Sequence, residues 1–184
     1  MKVIGGQARG RALYAPRGSS IRITADRVKE SLFDILQPLG EPSFLDLFAG
    51  TGNVGIEALS RGAREVVFVE KRRLHVETIR KNLSRCGFDS RFEVVAVAVE
   101  RGVSMLGEGN RAVDIIFADP PYERGLVKKT LSILRNVPIL ERDGMLIIEH
   151  SVREACTGDE DYVLFDCRRY GDTSLSFFKF TNKE

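Results

Sequence analysis

Strand-like Phe44–Phe48 runs into Asp46-Leu47-Phe48-Ala49-Gly50-Thr51-Gly52-Asn53-Val54-Gly55, with glycines at 50, 52 and 55 satisfying G-x-G-x-x-G ahead of a helical stretch. Glycine is required where backbone turns tightly and must approach a ligand closely. Glu70 follows the first glycine by 20 residues, at the end of a second apolar run, where a carboxylate can accept both hydroxyls of a ribose. The pattern predicts a nucleoside-containing cofactor. Asp46 decides its type. A pyrophosphate wants backbone N–H groups and no fixed anion, whereas a carboxylate four residues before the first glycine suits a ligand carrying positive charge, as the ammonium and sulfonium of S-adenosylmethionine do. The alternative for Asp46 is a strand-end carboxylate satisfied by neighbouring loop N–H groups.

A second motif, Asp119-Pro120-Pro121-Tyr122, closes the apolar run Ile115–Ala118. In an open α/β sheet, ligands bind beyond the carboxyl ends of the strands, so both motifs are expected in one crevice. The two prolines remove N–H donors and leave carbonyls, Asp119 adds carboxylate oxygens, and Tyr122 offers an aromatic face. Such an acceptor-rich site suits a planar amino group. The Asp119 carboxylate and the Pro120 carbonyl can hold its two hydrogens and aim the nitrogen lone pair at a methyl donor, with Tyr122 stacked on the base. A proline-rich turn with an Asp cap is the bland alternative. His75 and His150 have no partner spacing, and no cysteine follows a proline in a loop, which argues against cytosine C5 methylation.

Alternating β and α patterns position these motifs. The sequence predicts a helix after Thr24 as N-cap, stopped by Pro38 and Gly40, then strands at 44–48, 66–69, 92–97, 113–118 and 145–148. Helices are expected at 54–61, 72–85 and 124–136, with closing strands near 162–169 and 174–180. Continuous apolar runs such as Val66–Val69 and Met145–Ile148 imply strands covered on both faces. The expected fold is α/β: a Rossmann-like, doubly wound, seven-stranded and mostly parallel sheet. Residues 1–23 are expected to form a basic arm or β-hairpin, and 24–184 one α/β domain.

Composition narrows the partners. The 184 residues are 43% hydrophobic and 29% charged, with no apolar run to span a membrane and no secretion signal at the N-terminus. The three cysteines lie far apart and near no histidine cluster, so neither disulfides nor a metal site is expected, and the cytoplasm is the expected compartment. The net charge of +2 is uneven: residues 1–29 carry seven basic groups and one acidic, net +6, on a remainder of net −4. A concentrated basic segment suits a polyanion, because phosphate contacts release counterions. A solvated terminus is the alternative.

Together with Gly5-Gly6, the basic arm and Ile23–Glu30, the motifs resemble those of class I S-adenosylmethionine-dependent methyltransferases, and among these the bacterial 16S ribosomal RNA guanine-N2 methyltransferase family of the RsmD type. The stretch from Asp46 to Gly62 is the most specific part. The resemblance implies methylation of the 2-amino group of one guanine in the small ribosomal subunit or its assembly intermediate, by a monomer without metal. It implies an antiparallel closing strand and a cofactor held by Asp46, Phe48, Ala49, Gly50, Thr51 and Gly52, with Glu70 and Lys71 at the ribose and Asp119 at the mouth. It places Asp119, Pro120, Pro121 and Tyr122 on the target amino group, and Arg9, Arg11, Arg22, Thr24, Asp26 and Arg27 on the RNA. Ala98 and Val99 stand where such enzymes often carry an acidic or amide residue for the adenine, so backbone groups there or Glu100 would serve. Open alternatives are a DNA adenine or cytosine amino-methyltransferase, a protein-glutamine methyltransferase, a nicotinamide oxidoreductase, and a non-catalytic RNA-binding module retaining the cofactor pocket.

Overall fold

The computed structural model describes residues 1–16 and 24–181. Arg17, Arg22 and Ile23 lie outside them. The chain divides into two compact units, Met1–Val99 and Glu100–Glu184. Across it runs one seven-stranded sheet in the order β3-β2-β1-β4-β5-β7-β6, with strands as defined below.

In the first unit, α1 (Asp26–Ile35) precedes β1 (Ser43–Leu47), α2 (Asn53–Ser60), β2 (Glu65–Val69), α3 (Arg73–Arg85) and β3 (Phe92–Val95). The three strands pair in parallel, with Asp46 opposite Phe68 and Val69 opposite Val95. Every residue of β1 is buried, as parallel strands covered on both faces require. Helix α1 differs from expectation at its start, where Ala25, not Thr24, is the N-cap and no side chain caps the helix.

Residues 1–16 form an arm closed by one antiparallel bridge, Lys2 to Ala12, and Val3, Ala8 and Leu13 are buried. Gly6 explains the paired glycines. Its φ is +71°, and a Cβ there would lie 1.7 Å from the Ser60 carbonyl oxygen, so the arm rests on the end of α2. Gln7 N–H donates to that same carbonyl at 2.8 Å and Ala8 N–H to Ser60 Oγ at 2.9 Å.

The second unit contains most of α4 (Val99–Glu108), then β4 (Val113–Ala118), α5 (Leu126–Asn136), β5 (Leu140–Ser151), β6 (Tyr162–Tyr170) and β7 (Thr173–Phe180). Strand β5 pairs in parallel with β4, Ala118 facing Ile148, and antiparallel with β7, Ile148 facing Ser176. β7 also pairs antiparallel with β6. Helix α4 has no counterpart in the sequence-based expectation. Its Gly102 and Gly107 weaken the helical signal, yet Val99, Val103 and Leu106 are buried at helical spacing. Among the described residues, no helix is long and apolar enough to cross a membrane.

Candidate functional site

The turn from β1 into α2 is built on left-handed backbone. Phe48, Gly50 and Gly52 have φ of 62°, 55° and 78°. Gly55 serves packing instead: a Cβ there would lie 2.3 Å from the Phe68 ring, so α2 can approach β2 this closely only with glycine.

The loop amides are taken up inside the protein, two of them by carboxylates. Gly55 N–H donates to Asp46 Oδ2 at 2.9 Å and Gly50 N–H to Glu70 Oε2 at 2.9 Å. Ala49 N–H donates to the Val69 carbonyl and Gly52 N–H to that of Ala49. A pyrophosphate needs such donors turned outward; here two carboxyl side chains hold them. The donor set therefore fits a ligand with positive charge and hydroxyl groups, as S-adenosylmethionine has. Burial pushes the Asp46 carboxyl up to about 7, against the Gly55 hydrogen bond that favours its ionised form, and the Glu70 charge adds to the rise. A cationic group beside Asp46 would restore its charge.

Helix α3 supports the underside of this loop with three side chains on one buried face. His75 Nδ1 lies 3.4 Å from Glu70 Oε2 without a hydrogen bond. Ile79 stands 3.3 Å from where a Gly52 Cβ would be. Asn82, fully buried, donates to the Thr51 carbonyl at 3.0 Å. Glu70 Oε1 also accepts from Arg72 N–H at 2.8 Å, which fixes the carboxylate at the head of α3. Lys71 and Ala98 are exposed, while Val99 is buried as the first residue of α4.

Of the residues assigned to RNA, Arg9, Arg11 and Arg27 are exposed, Asp26 is half-buried and Thr24 is buried. The Thr24 carbonyl accepts from Asn53 Nδ2 at 3.2 Å. Lys29, counted among the basic groups of the N-terminal segment, is instead internal. Its ammonium donates to the Lys2 carbonyl and Asn53 Oδ1, both at 2.7 Å, and faces Glu57 Oε2 at 3.3 Å.

In the second unit, Asp119 and Tyr122 are half-buried after β4, Pro120 is buried and Pro121 exposed. The Tyr122 hydroxyl lies 3.5 Å from Glu149 Oε1 and 3.4 Å from Thr173 Oγ1, long contacts that hold the ring toward β5 and β7. Glu123 N–H donates to Glu154 Oε2 at 3.2 Å and closes the turn. His150 is structural: Nδ1 meets the Ser151 carbonyl and Nε2 the Ser176 hydroxyl, each at 2.9 Å. No group of three His, Cys, Asp or Glu among the described residues could hold a metal ion.

Sequence reasoning did not single out Asn82, Glu149 or Thr173, and it set His75 aside. Asn82 and His75 were readable only as the inner face of α3, where spacing with Ile79 places all three together.

Comparison with known proteins agrees with this architecture. YlbH of Bacillus subtilis is 35% identical over 182 residues, covering 97% of this chain and 98% of that one. The ribosomal RNA small subunit methyltransferase D of Escherichia coli is 35% identical over 153 residues, 83% of this chain and 75% of that one. The solved structure of a hypothetical protein from Thermus thermophilus superposes with a TM-score of 0.86 at 30% identity, covering 97% and 99% of the two chains. The family described as conserved hypothetical protein 95 matches residues 1–179. The chain belongs to this family of methyltransferases, the RsmD family.

Proposed function

We propose that the protein transfers a methyl group from S-adenosylmethionine to the exocyclic 2-amino group of a guanine in 16S ribosomal RNA, in the cytoplasm. The observation that carries this reading is the pair of carboxylates, Asp46 and Glu70, holding the amides of the glycine loop. That arrangement favours a cationic nucleoside over a dinucleotide. Family membership and the name of the Escherichia coli relative support ribosomal RNA as the substrate class.

When bound beside Asp46 and Glu70, the cofactor would supply an electrophilic methyl on sulfur; the amino nitrogen would take that methyl and give up one proton to the Asp119 carboxylate. The chain's residues prepare that nitrogen. Asp119 and the Pro120 carbonyl accept its hydrogens, which turns the lone pair away from them and toward the methyl. Tyr122 stacks on the base, a contact worth about 1–3 kcal/mol. Positioning and electrostatic preorganisation account for catalysis without a covalent intermediate. Arg9, Arg11 and Arg27 hold phosphates, with Arg22 adding to them.

The test is transfer of labelled methyl to small ribosomal subunits, naked 16S RNA and duplex DNA in parallel, followed by nucleoside analysis. N2-methylguanosine in the ribosomal samples alone is expected. Label in DNA as methyladenine or methylcytosine would overturn the substrate. Asp119→Ala should abolish transfer while cofactor binding persists, and retained transfer would remove Asp119 from its role.

A further inference from the structure

The arm and the glycine loop meet at one buried amide. Asn82 Oδ1 accepts from Tyr14 N–H at 2.7 Å, and Asn82 Nδ2 donates to the Tyr14 carbonyl and to the Thr51 carbonyl, each at 3.0 Å. Both backbone polar groups of one arm residue and the peptide between Gly50 and Gly52 thus hang on a single side chain with no exposed surface. Two further contacts tie the same pieces. Thr51 Oγ1 lies 3.5 Å from Met1 Sδ, and Lys29 joins the Lys2 carbonyl to Asn53, the residue just after Gly52. Tyr14 itself is exposed, and the Lys81 ammonium lies over its ring 4.1 Å from the centroid, which sets an aromatic group and a cation side by side for a base and its phosphate.

We propose that Asn82 is a positioning residue that couples the arm to the glycine loop, so that RNA docked at Tyr14 and cofactor held by the loop strengthen each other's binding. The identity of the two ligands rests on the function proposed above; the linkage itself rests on the three hydrogen bonds. The Thr51–Gly52 peptide is held at both of its polar groups, the N–H by the Ala49 carbonyl and the carbonyl by Asn82, so Asn82 is one of the two bonds that set its orientation. RNA that immobilises Tyr14 immobilises Asn82, and with it that carbonyl. The loop is then ordered before the cofactor arrives, and reciprocity requires the cofactor to favour RNA by the same factor.

The experiment is equilibrium dialysis of labelled S-adenosylhomocysteine against the full chain, with and without saturating 16S RNA transcript, for wild type and Asn82→Ala. Typical couplings predict that the transcript raises wild-type affinity about five-fold or more, and that the ratio falls to near one in the variant. Hydrogen exchange of the 50–54 amides should slow on adding transcript in the wild type alone. A merely structural Asn82 would lower the melting temperature and leave the ratio intact. If Asn82→Ala does not fold, Tyr14→Ala removes only an exposed ring, keeps the three hydrogen bonds of Asn82, which reach backbone groups, and should lose the ratio equally. A ratio that persists in a folded variant, or a wild type that binds both ligands independently, overturns the coupling. A wild type that binds neither ligand overturns the functional reading first, and the coupling with it.

Discussion

Lys29 and Glu57 form an ion pair 3.3 Å apart, with no exposed surface on either side chain. The Glu57 carboxylate is also reached by Ile4 N–H at 2.8 Å, Gly5 N–H at 2.7 Å and Arg61 Nε at 2.9 Å. Burial pushes the Lys29 ammonium below its usual range, and Glu57 pulls it back. A buried pair of this kind is tolerated only because its remaining hydrogen-bonding groups are satisfied. Here those groups are the backbone of the arm, so the pair fastens the arm to α1 and α2.

Lys29→Met removes one of the two cations facing Glu57, leaves Arg61 in place, and strips the Lys2 carbonyl and Asn53 Oδ1 of their donor, so it should destabilise the fold by about 1–3 kcal/mol in urea denaturation. Adding Glu57→Gln should recover none of that loss, because both carboxylate oxygens accept backbone N–H groups and an amide nitrogen cannot. Equal stability of the single variant and wild type would show that the pair contributes nothing.

Gly6→Ala places a methyl inside the Ser60 carbonyl, at a backbone conformation that alanine rarely adopts. Strain of this kind costs about 1–3 kcal/mol, and the arm should lift from α2 to relieve it. Limited proteolysis within residues 1–16 should accelerate in the variant. An unchanged cleavage rate would place the contact elsewhere.

Asp46 gives a pH signature whose sign follows from proton counts. The folded protein keeps this proton up to about pH 7, whereas the carboxyl's ordinary value is 3.8. Between these values the folded state binds more protons, so its stability falls as pH rises through the interval. Asp46→Asn should remove that slope, and the difference between variant and wild type in thermal melts from pH 4.5 to 8 reads it. In the wild type, affinity for the cationic cofactor should climb as pH approaches 7, because the ligand favours the ionised carboxyl. Parallel melting profiles for the two proteins would reject the elevated value.

Tyr122 separates ring from hydroxyl. Its contacts to Glu149 and Thr173 are long, so Tyr122→Phe should keep methyl transfer within about three-fold of wild type. Tyr122→Ala removes the stacking face and should reduce transfer by roughly ten- to a hundred-fold. Comparable losses in the two variants would assign the role to the hydroxyl.

Strands and turns were legible in the sequence where one physical demand dominated. Val113–Ala118 is legible as a strand because five of its six residues are apolar, four of them consecutive from Ile115, and the glycine loop is legible because positive φ at 50 and 52 favours glycine. Helix α4 was not foreseen, although β3 and the next parallel strand need a crossover between them, which alone argues for it. Lys29 was counted as part of a basic surface because a buried lysine and an exposed one read alike in sequence. Only its partner, 28 residues away on α2, distinguishes them. Asn82 escaped for the same reason, since its partners lie 68 and 31 residues away.

The sheet order sets a schedule for synthesis. β7 lies between β5 and β6, so the edge of β5 carrying Leu146, Ile147 and Ile148 stays uncovered until Phe177 and Phe178 have been translated. At ordinary elongation rates those roughly thirty intervening residues occupy a few seconds. Throughout that delay an apolar strand edge faces outward with its backbone groups unpaired. On the nascent chain, this edge is where a wrong strand can pair before the right one exists.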